Sequence, residues 1–127
     1  FRLVPKMNPK KQAMRLKRHL VEKGFDNIEI KIYHGEAAAR TNPKHAFVSD
    51  VTDAARKSFG KYLLSISSAG TGPMHAFTNI LKAPAIAIGS THVFSRIHSP
   101  NEFTRIDLLK KATKCMCLIL DNFARSN

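Results

Sequence analysis

The sequence has 127 residues and is 43% hydrophobic, which fits one modest globular domain and excludes a disordered chain. No apolar run reaches the ~18 residues of a transmembrane helix, so we expect no membrane partner. The 21 basic and 9 acidic residues give a formal net charge of +12. A nucleic-acid binder can carry such a charge. So can a protein with a basic surface, or one part of a larger protein whose other part is acidic.

The basic cluster at 10–18 favours a basic surface over a nucleic-acid site. It contains Lys and Arg side chains without interleaved aromatic residues, and no nucleic-acid motif is present. We therefore expect nucleic acid not to be the partner.

The two cysteines predict neither a disulfide nor a metal site. Cys115 and Cys117 lie two positions apart on a predicted helix, so their side chains point to nearly opposite faces. Free thiols of this kind favour a cytoplasmic location.

Residues 1–33 are predicted to form a strand, a helix and a second strand. The strand at 1–5 is already under way at Phe1, so we expect further residues to precede it in the natural protein. Asn8 and Pro9 have the chemistry of a helix start, and Gly24 suits the position after a helix end near Lys23. The alternating segment 28–32 predicts a half-buried strand.

The remainder of the chain alternates predicted helices and strands, which indicates an α/β fold. Helices are expected at 45–59, 74–81 and 101–124, and strands at 62–66 and 83–89. An apolar stripe on the last helix is expected to face the core; it comprises Ile106, Leu109, Thr113, Met116, Leu120 and Phe123. Loops that follow parallel strands lie at one edge of a sheet, which predicts that the loops 67–73 and 90–100 are neighbours.

Three groups of residues are candidates for chemistry. His98 precedes a predicted helix start and could be a metal ligand, or a loop histidine beside an ordinary helix cap. The loop containing Gly70, Thr71 and Gly72 could bind an anion through backbone N–H groups, or be a plain strand-to-helix turn. Arg2 and His34 do not stand out from ordinary strand residues on their own. Surface roles are expected for the other histidines, which are His19, His45, His75 and His92.

Three motifs in order, at 1–5, 68–74 and 98–102, resemble the dinuclear-zinc metallopeptidases. This family includes carnosinases, aminoacylases, acetylornithine deacetylases, succinyl-diaminopimelate desuccinylases and glutamate carboxypeptidases. The resemblance implies that residues 1–39 are the second half of an α/β lid or dimerisation domain. It implies that residues 40–127 are the carboxyl-terminal part of a catalytic α/β domain.

The resemblance also implies roles for individual residues. His98 corresponds to a ligand of one of two divalent metal ions, expected to be zinc. Arg2 would bind the substrate carboxylate, and His34 would lie near the substrate. Gly70, Thr71 and Gly72 fall in a loop that contacts the substrate. The implied hydrolase is a metallopeptidase, deacylase or carboxypeptidase. Its implied substrate is a small peptide or an N-acyl amino acid with a free carboxylate. The resemblance also implies a homodimer formed through the lid.

Two features of the sequence depart from the family. Gly35 is followed by Glu36 and Ala37, where carnosinase-like members have Gly-Lys-Pro, which favours the deacylase-like branch. The chain has no His-x-Asp or Glu-Glu pair, so no catalytic general base is assigned within it. We therefore expect it to be part of a longer enzyme and inactive alone. The alternative is a non-catalytic basic module for binding or dimerisation, with nucleic acid as one candidate ligand.

Overall fold

The computed structural model describes residues 1–33, 35–68, 70 and 72–126. These residues form two compact units. The first unit comprises Phe1–Thr41 and Ser67–Ala85, and the second comprises Asn42–Ile66 and Ile86–Asn127. The two units are defined by how compactly their residues are packed. They do not test the domain boundary between residues 39 and 40, which stays a prediction.

The helix α1, Pro9–Glu22, is the main element of the first unit. The side-chain oxygen of Asn8 accepts a hydrogen bond from the Lys11 N–H at 3.1 Å, and Pro9 occupies the first turn, where its missing N–H costs nothing. After the helix, Gly24 has a φ of 78°, a backbone conformation that ends a helix and suits glycine. The predicted helix is thus confirmed, although none of its residues is buried.

The first unit joins two distant stretches of chain at Thr41. The Thr41 hydroxyl donates to the Ala85 carbonyl at 2.7 Å and accepts from the Ala85 N–H at 2.9 Å. A π-helical turn, Ala76–Ile80, lies between them in sequence. Together with the α-helical residues 74 and 75, this turn forms the short helix predicted at 74–81.

The second unit is built on two packed helices, α2, Ala46–Phe59, and α3, Ile106–Ser126. The buried side chains of Val51, Ala54, Cys115 and Ile119 form its core. Partly buried apolar residues surround this core; they are Phe47, Ala55, Phe59, Ile86, Ile88 and Leu118. Gly60, with a φ of 78°, ends α2 as the sequence predicts.

Two expectations about α3 are wrong. The helix begins at Ile106 rather than near Asn101, because Asn101 has a φ of 60°, which a right-handed helix does not accept. The stripe expected in the core is also exposed, since Cys115 and Ile119 on the adjoining face pack against α2 instead. Apolar residues cover both faces, so their spacing alone did not identify the buried one.

The α/β layering is not confirmed in the described residues. The segments 1–5, 28–32, 62–66 and 83–89 were predicted as strands, and none of them is a strand in this part of the chain. A strand requires backbone N–H and C=O partners on a neighbouring strand, and these segments do not pair with one another. Helices satisfy their backbone groups internally, which is why the helical predictions succeed where the strands do not.

No helix in the described residues combines the length and the apolar character needed to cross a bilayer.

Candidate functional site

His98 lies in a loop of the second unit that is organised around the buried side chain of Ser95. Ser95 is 1% exposed. Its hydroxyl oxygen accepts from the His92 N–H at 3.1 Å, and its own N–H donates to the His92 carbonyl at 2.9 Å. The Ser95 carbonyl in turn accepts from the Phe103 N–H at 3.2 Å. Ser95 therefore connects His92, at the beginning of the loop, to Phe103, at its end, through hydrogen bonds.

The backbone around His98 has three non-glycine residues with positive φ. Arg96, His98 and Asn101 have φ values of 55°, 62° and 60°. Asn and His adopt this conformation more readily than most residues, yet it still costs free energy and persists only where the surroundings hold it. The Ser99 N–H donates to the Arg96 carbonyl at 2.9 Å and closes a tight turn. His98 is thus held on the exposed tip of a constrained turn.

The described residues do not assemble a metal site around His98. They contain no group of three or more His, Cys, Asp or Glu side chains placed to hold one ion. A zinc ion in a protein takes three or four such ligands. His98 could supply one of them, so the residues present do not fit a metal by themselves.

The small-residue loop of the first unit is described at Gly70 and Gly72, whereas Thr71 lies outside the described residues. The Gly70 N–H donates to the Ser68 hydroxyl at 3.1 Å. A Cβ built at Gly72 would meet nothing within 4 Å, so the space beside its backbone is open. Exposed glycine backbone of this kind can be approached closely by a ligand.

Of the two lid candidates, Arg2 is exposed in the first unit and His34 lies outside the described residues. The neighbouring Gly35 has a clear structural role. A Cβ at this position would lie 2.9 Å from the Cβ of Pro9, too close for any other residue without a shift. Sequence reasoning missed this requirement, because the contact joins positions far apart in the chain.

A cavity of about 450 Å³ in the first unit brings together three stretches of sequence. They are the start of α1, the residues after His34, and the residues after the glycine loop; the lining comprises Asn8, Pro9, Lys10, Gly35, Glu36, Ala37, Pro73, His75, Ala76 and Ile80. The His75 Nδ1 atom is buried without a hydrogen-bond partner in the described part of the chain. His75 is half-buried rather than fully exposed, and no motif or spacing in the sequence marked it as a residue that lines this cavity.

Other histidines have local roles in the structure. The His45 Nδ1 atom accepts from the Phe47 N–H at 3.1 Å and caps α2. The His92 Nδ1 atom accepts from the Phe94 N–H at 3.3 Å. Both side chains stabilise backbone turns.

A polar groove between α2 and α3 is stabilised by ion pairing and side-chain hydrogen bonds. The Lys57 ammonium lies 2.7 Å from Asp53 Oδ2. The Asn122 amide donates to the Asp50 carbonyl at 3.0 Å and to Asp53 Oδ2 at 3.2 Å. Hydrogen bonding to Lys57, helped by Asn122, holds the pKa of Asp53 below its usual value. These contacts stabilise α2 and its packing against α3, which accounts for the polar lining of the groove.

Comparison with known proteins identifies the family. The family model for peptidase family M20/M25/M40 matches residues 3–122. Among solved structures, an M20 family metallo-carboxypeptidase, Sso-CP2 from Sulfolobus solfataricus, is 35% identical with a TM-score of 0.81. The match covers 93% of this chain and 28% of that chain. A search of curated proteins found no match. The resemblance inferred from the three motifs is confirmed: the chain belongs to peptidase family M20/M25/M40.

Proposed function

We propose that this chain supplies part of a metal-dependent amidohydrolase that cleaves a peptide or an N-acyl amino acid with a free carboxylate. The observation that carries the proposal is the family match over residues 3–122, together with a metallo-carboxypeptidase neighbour that covers 93% of the chain. In this proposal the residues up to 39 belong to a lid domain, and the residues from 40 belong to a catalytic α/β domain.

His98 is proposed as one ligand of a divalent metal, expected to be zinc. Its exposed position on a turn fixed by Ser95 supports this role, because a ligand must be accessible and must keep its place when the ion binds. The remaining ligands and the general base are proposed to come from other residues of the enzyme. The described residues contain no group of three or more His, Cys, Asp or Glu side chains placed to hold one ion. We therefore expect the chain alone to be inactive.

The substrate is proposed to contact residues of the first unit. Arg2 would bind its carboxylate, because a guanidinium can donate two parallel hydrogen bonds to a carboxylate. Gly72 would offer its backbone N–H to a substrate oxygen, and Gly70 and Thr71 would belong to the same substrate-contacting loop. We propose that His34 also lies near the substrate. The cavity at the start of α1 supports this placement, because residues next to His34 and to the glycine loop line it together.

Further features of the parent enzyme follow from the same proposal. They are a pair of divalent metal ions, a homodimer formed through the lid, and a cytoplasmic location.

The proposal is tested by His98→Ala in the complete enzyme, with His19→Ala on the exposed face of α1 as the matched control. Metal content is measured by mass spectrometry, and hydrolysis is measured on N-acetyl amino acids and dipeptides. We expect His98→Ala to lose bound metal and to lower kcat/KM by more than about 100-fold, since catalytic metals contribute several kcal/mol. The control should keep both properties. Unchanged metal content and hydrolysis in His98→Ala would refute the role of His98.

A further inference from the structure

The loop that carries His98 consists of two β-turns in succession. The first turn spans 92–95 and the second spans 96–99. Each is closed by a hydrogen bond of 2.9 Å from the N–H of its last residue to the carbonyl of its first. The two central residues of a β-turn form its corner. The corner residues are Val93 and Phe94 in the first turn and Ile97 and His98 in the second.

Three of the four corner residues are large, apolar and exposed. Their exposed fractions are 84% for Val93, 73% for Phe94 and 49% for Ile97. We call these three residues the apolar patch. Single exposed apolar side chains are ordinary, whereas an apolar group with polar residues at its border is typical of a binding surface. The apolar patch therefore points to a ligand contact that the proposed role of His98 does not explain.

The apolar patch lies close to His98 in a constrained loop. The centroids of the Phe94 and His92 rings are 5.4 Å apart, and the Phe94 N–H donates to the His92 Nδ1 atom at 3.3 Å. The buried Ser95 lies at the junction of the two turns, and its carbonyl accepts from the Phe103 N–H. Phe94 and His98 are four positions apart, so their Cα atoms lie within roughly 14 Å of each other. A small ligand bound at His98 can therefore reach the patch.

We propose that the apolar patch determines specificity for substrates with an apolar acyl group, an inference that rests on the proposed function. In that function the scissile carbonyl lies at His98 and the substrate carboxylate is assigned to Arg2. The acyl side of the scissile bond is therefore the part of the substrate left for the patch. Each methylene of the acyl group that leaves water against Val93 and Phe94 strengthens binding.

A protein partner is a poorer occupant of the apolar patch. A stable protein–protein interface uses about 20–30 residues from each side, and the patch consists of three. Its neighbours along the loop are polar; they are His92, Arg96 and Ser99. A small apolar surface with a few polar groups beside it is the usual composition of a small-molecule site.

The test compares acyl groups on the same amino acid in the complete enzyme. kcat/KM is measured for N-octanoyl-alanine and N-acetyl-alanine, and for leucyl-alanine and glycyl-alanine. The patch variant carries Val93→Ser and Phe94→Ser. The matched control carries Val21→Ser and Phe25→Ser, an exposed pair of the same composition in the first unit. Calorimetry with octanoate and with acetate measures binding of the acid products without turnover.

We expect the unmodified enzyme and the control to prefer the larger apolar acyl group by at least about 10-fold in kcat/KM, the discrimination that a small apolar contact provides. The patch variant should lose most of this preference. An equal reduction for large and small acyl groups would indicate that the patch packs against another part of the enzyme. That result would overturn the specificity role.

Binding of octanoate separates this inference from the proposed function. Octanoate should bind the patch variant at least about 10-fold more weakly than the unmodified enzyme and the control. Binding of this kind in an enzyme that hydrolyses none of the four amides would count against the proposed function and leave the patch as an apolar ligand site. Hydrolysis without a preference for apolar acyl groups, or equal octanoate binding by all three proteins, would overturn the specificity role and leave the proposed function standing.

Discussion

The two units of this chain are stabilised in different ways. Every buried residue in the described part of the chain lies in the second unit, where α2 and α3 enclose Val51, Ala54, Cys115 and Ile119. In the first unit, α1 has no buried residue and is fixed by its own cap and by a glycine after its end. The second unit therefore depends on tertiary packing, and α1 depends mainly on local signals.

This difference shows what each unit requires in order to stay folded. An isolated helix of 14 residues is marginal in water, because its few hydrogen bonds barely offset the cost of starting it. Two helices that share a core gain additional free energy from each apolar side chain they bury. We therefore expect the second unit to resist unfolding more strongly than α1.

The largest effect is expected from removing a core side chain of the second unit. Ile119 is 7% exposed, and Ile119→Ala should lower the free energy of unfolding of α2 and α3 by about 2–5 kcal/mol, the usual cost of such a cavity. The matched control is Leu16→Ala, on the half-buried side of α1. Hydrogen exchange measured helix by helix in increasing urea reports the two units separately.

The expected pattern is a large loss of protection in α2 and α3 for Ile119→Ala and a small change for Leu16→Ala. Equal losses for the two variants would mean that α1 also depends on a packed core, and the contrast between the units would fail.

A smaller effect is expected from Ser95, whose hydroxyl is buried in the loop that presents His98. Ser95→Ala leaves the His92 N–H without its side-chain acceptor. Loss of one buried hydrogen-bonding partner costs about 1–3 kcal/mol. The positive φ of His98 depends on this loop, so we expect the turn to lose its fixed conformation. Ser99→Ala, at an exposed position of the same loop, is the control.

Amide NMR spectra would reveal the change. Ser95→Ala should increase exchange at the His92 and Phe103 amides while the amides of α2 and α3 keep their protection. Ser99→Ala should leave all of them unchanged. A loop that keeps its amide shifts in Ser95→Ala would show that the turn around His98 is held by something other than Ser95.

The elements that sequence predicted well are those specified by neighbouring residues. Asn8, Pro9 and Gly24 define α1, and Gly60 marks the end of α2, because capping and positive φ depend on one or two residues. The predicted strands at 62–66 and 83–89 needed partners elsewhere in a sheet, which a local pattern does not supply. The same limitation explains the error on the apolar stripe of α3, where spacing revealed an apolar face but not which face of the helix is buried.

The candidate site shows the same difference between what a local motif predicts and what only the fold reveals. Motif order led to the peptidase family and to His98, and the family is confirmed. Ser95 and His75 were missed, because a buried hydroxyl and a cavity-lining ring are defined by residues brought together only in the fold. The roles of the individual site residues stay predictions; these residues are Arg2, His34, Gly70, Thr71, Gly72 and His98.

The smallest predicted effect concerns the pH dependence of the contact between α2 and α3. The pKa of Asp53 is lowered by its hydrogen bond with Lys57 and by the amide of Asn122. A carboxyl group whose pKa is lower in the folded state stabilises that state above its unfolded pKa, near 4, and loses this contribution as the pH falls through the folded pKa. We therefore expect the helix contact to weaken only in acid, and only slightly, because the Lys57 and Asp53 side chains are 55% and 41% exposed.

Carboxyl NMR titration in the unmodified chain and in Lys57→Gln measures this contribution directly. The substitution removes the ammonium and should raise the pKa of Asp53 toward its ordinary value, because the Asn122 amide alone stabilises the charged carboxylate less. High salt should produce part of the same change in the unmodified chain, since solvent ions screen an exposed pair. A pKa that is the same in both chains would assign the shift to Asn122. The pH dependence of the helix contact would then come from the Asn122 hydrogen bond to Asp53 alone, without a contribution from the Lys57–Asp53 pair within α2.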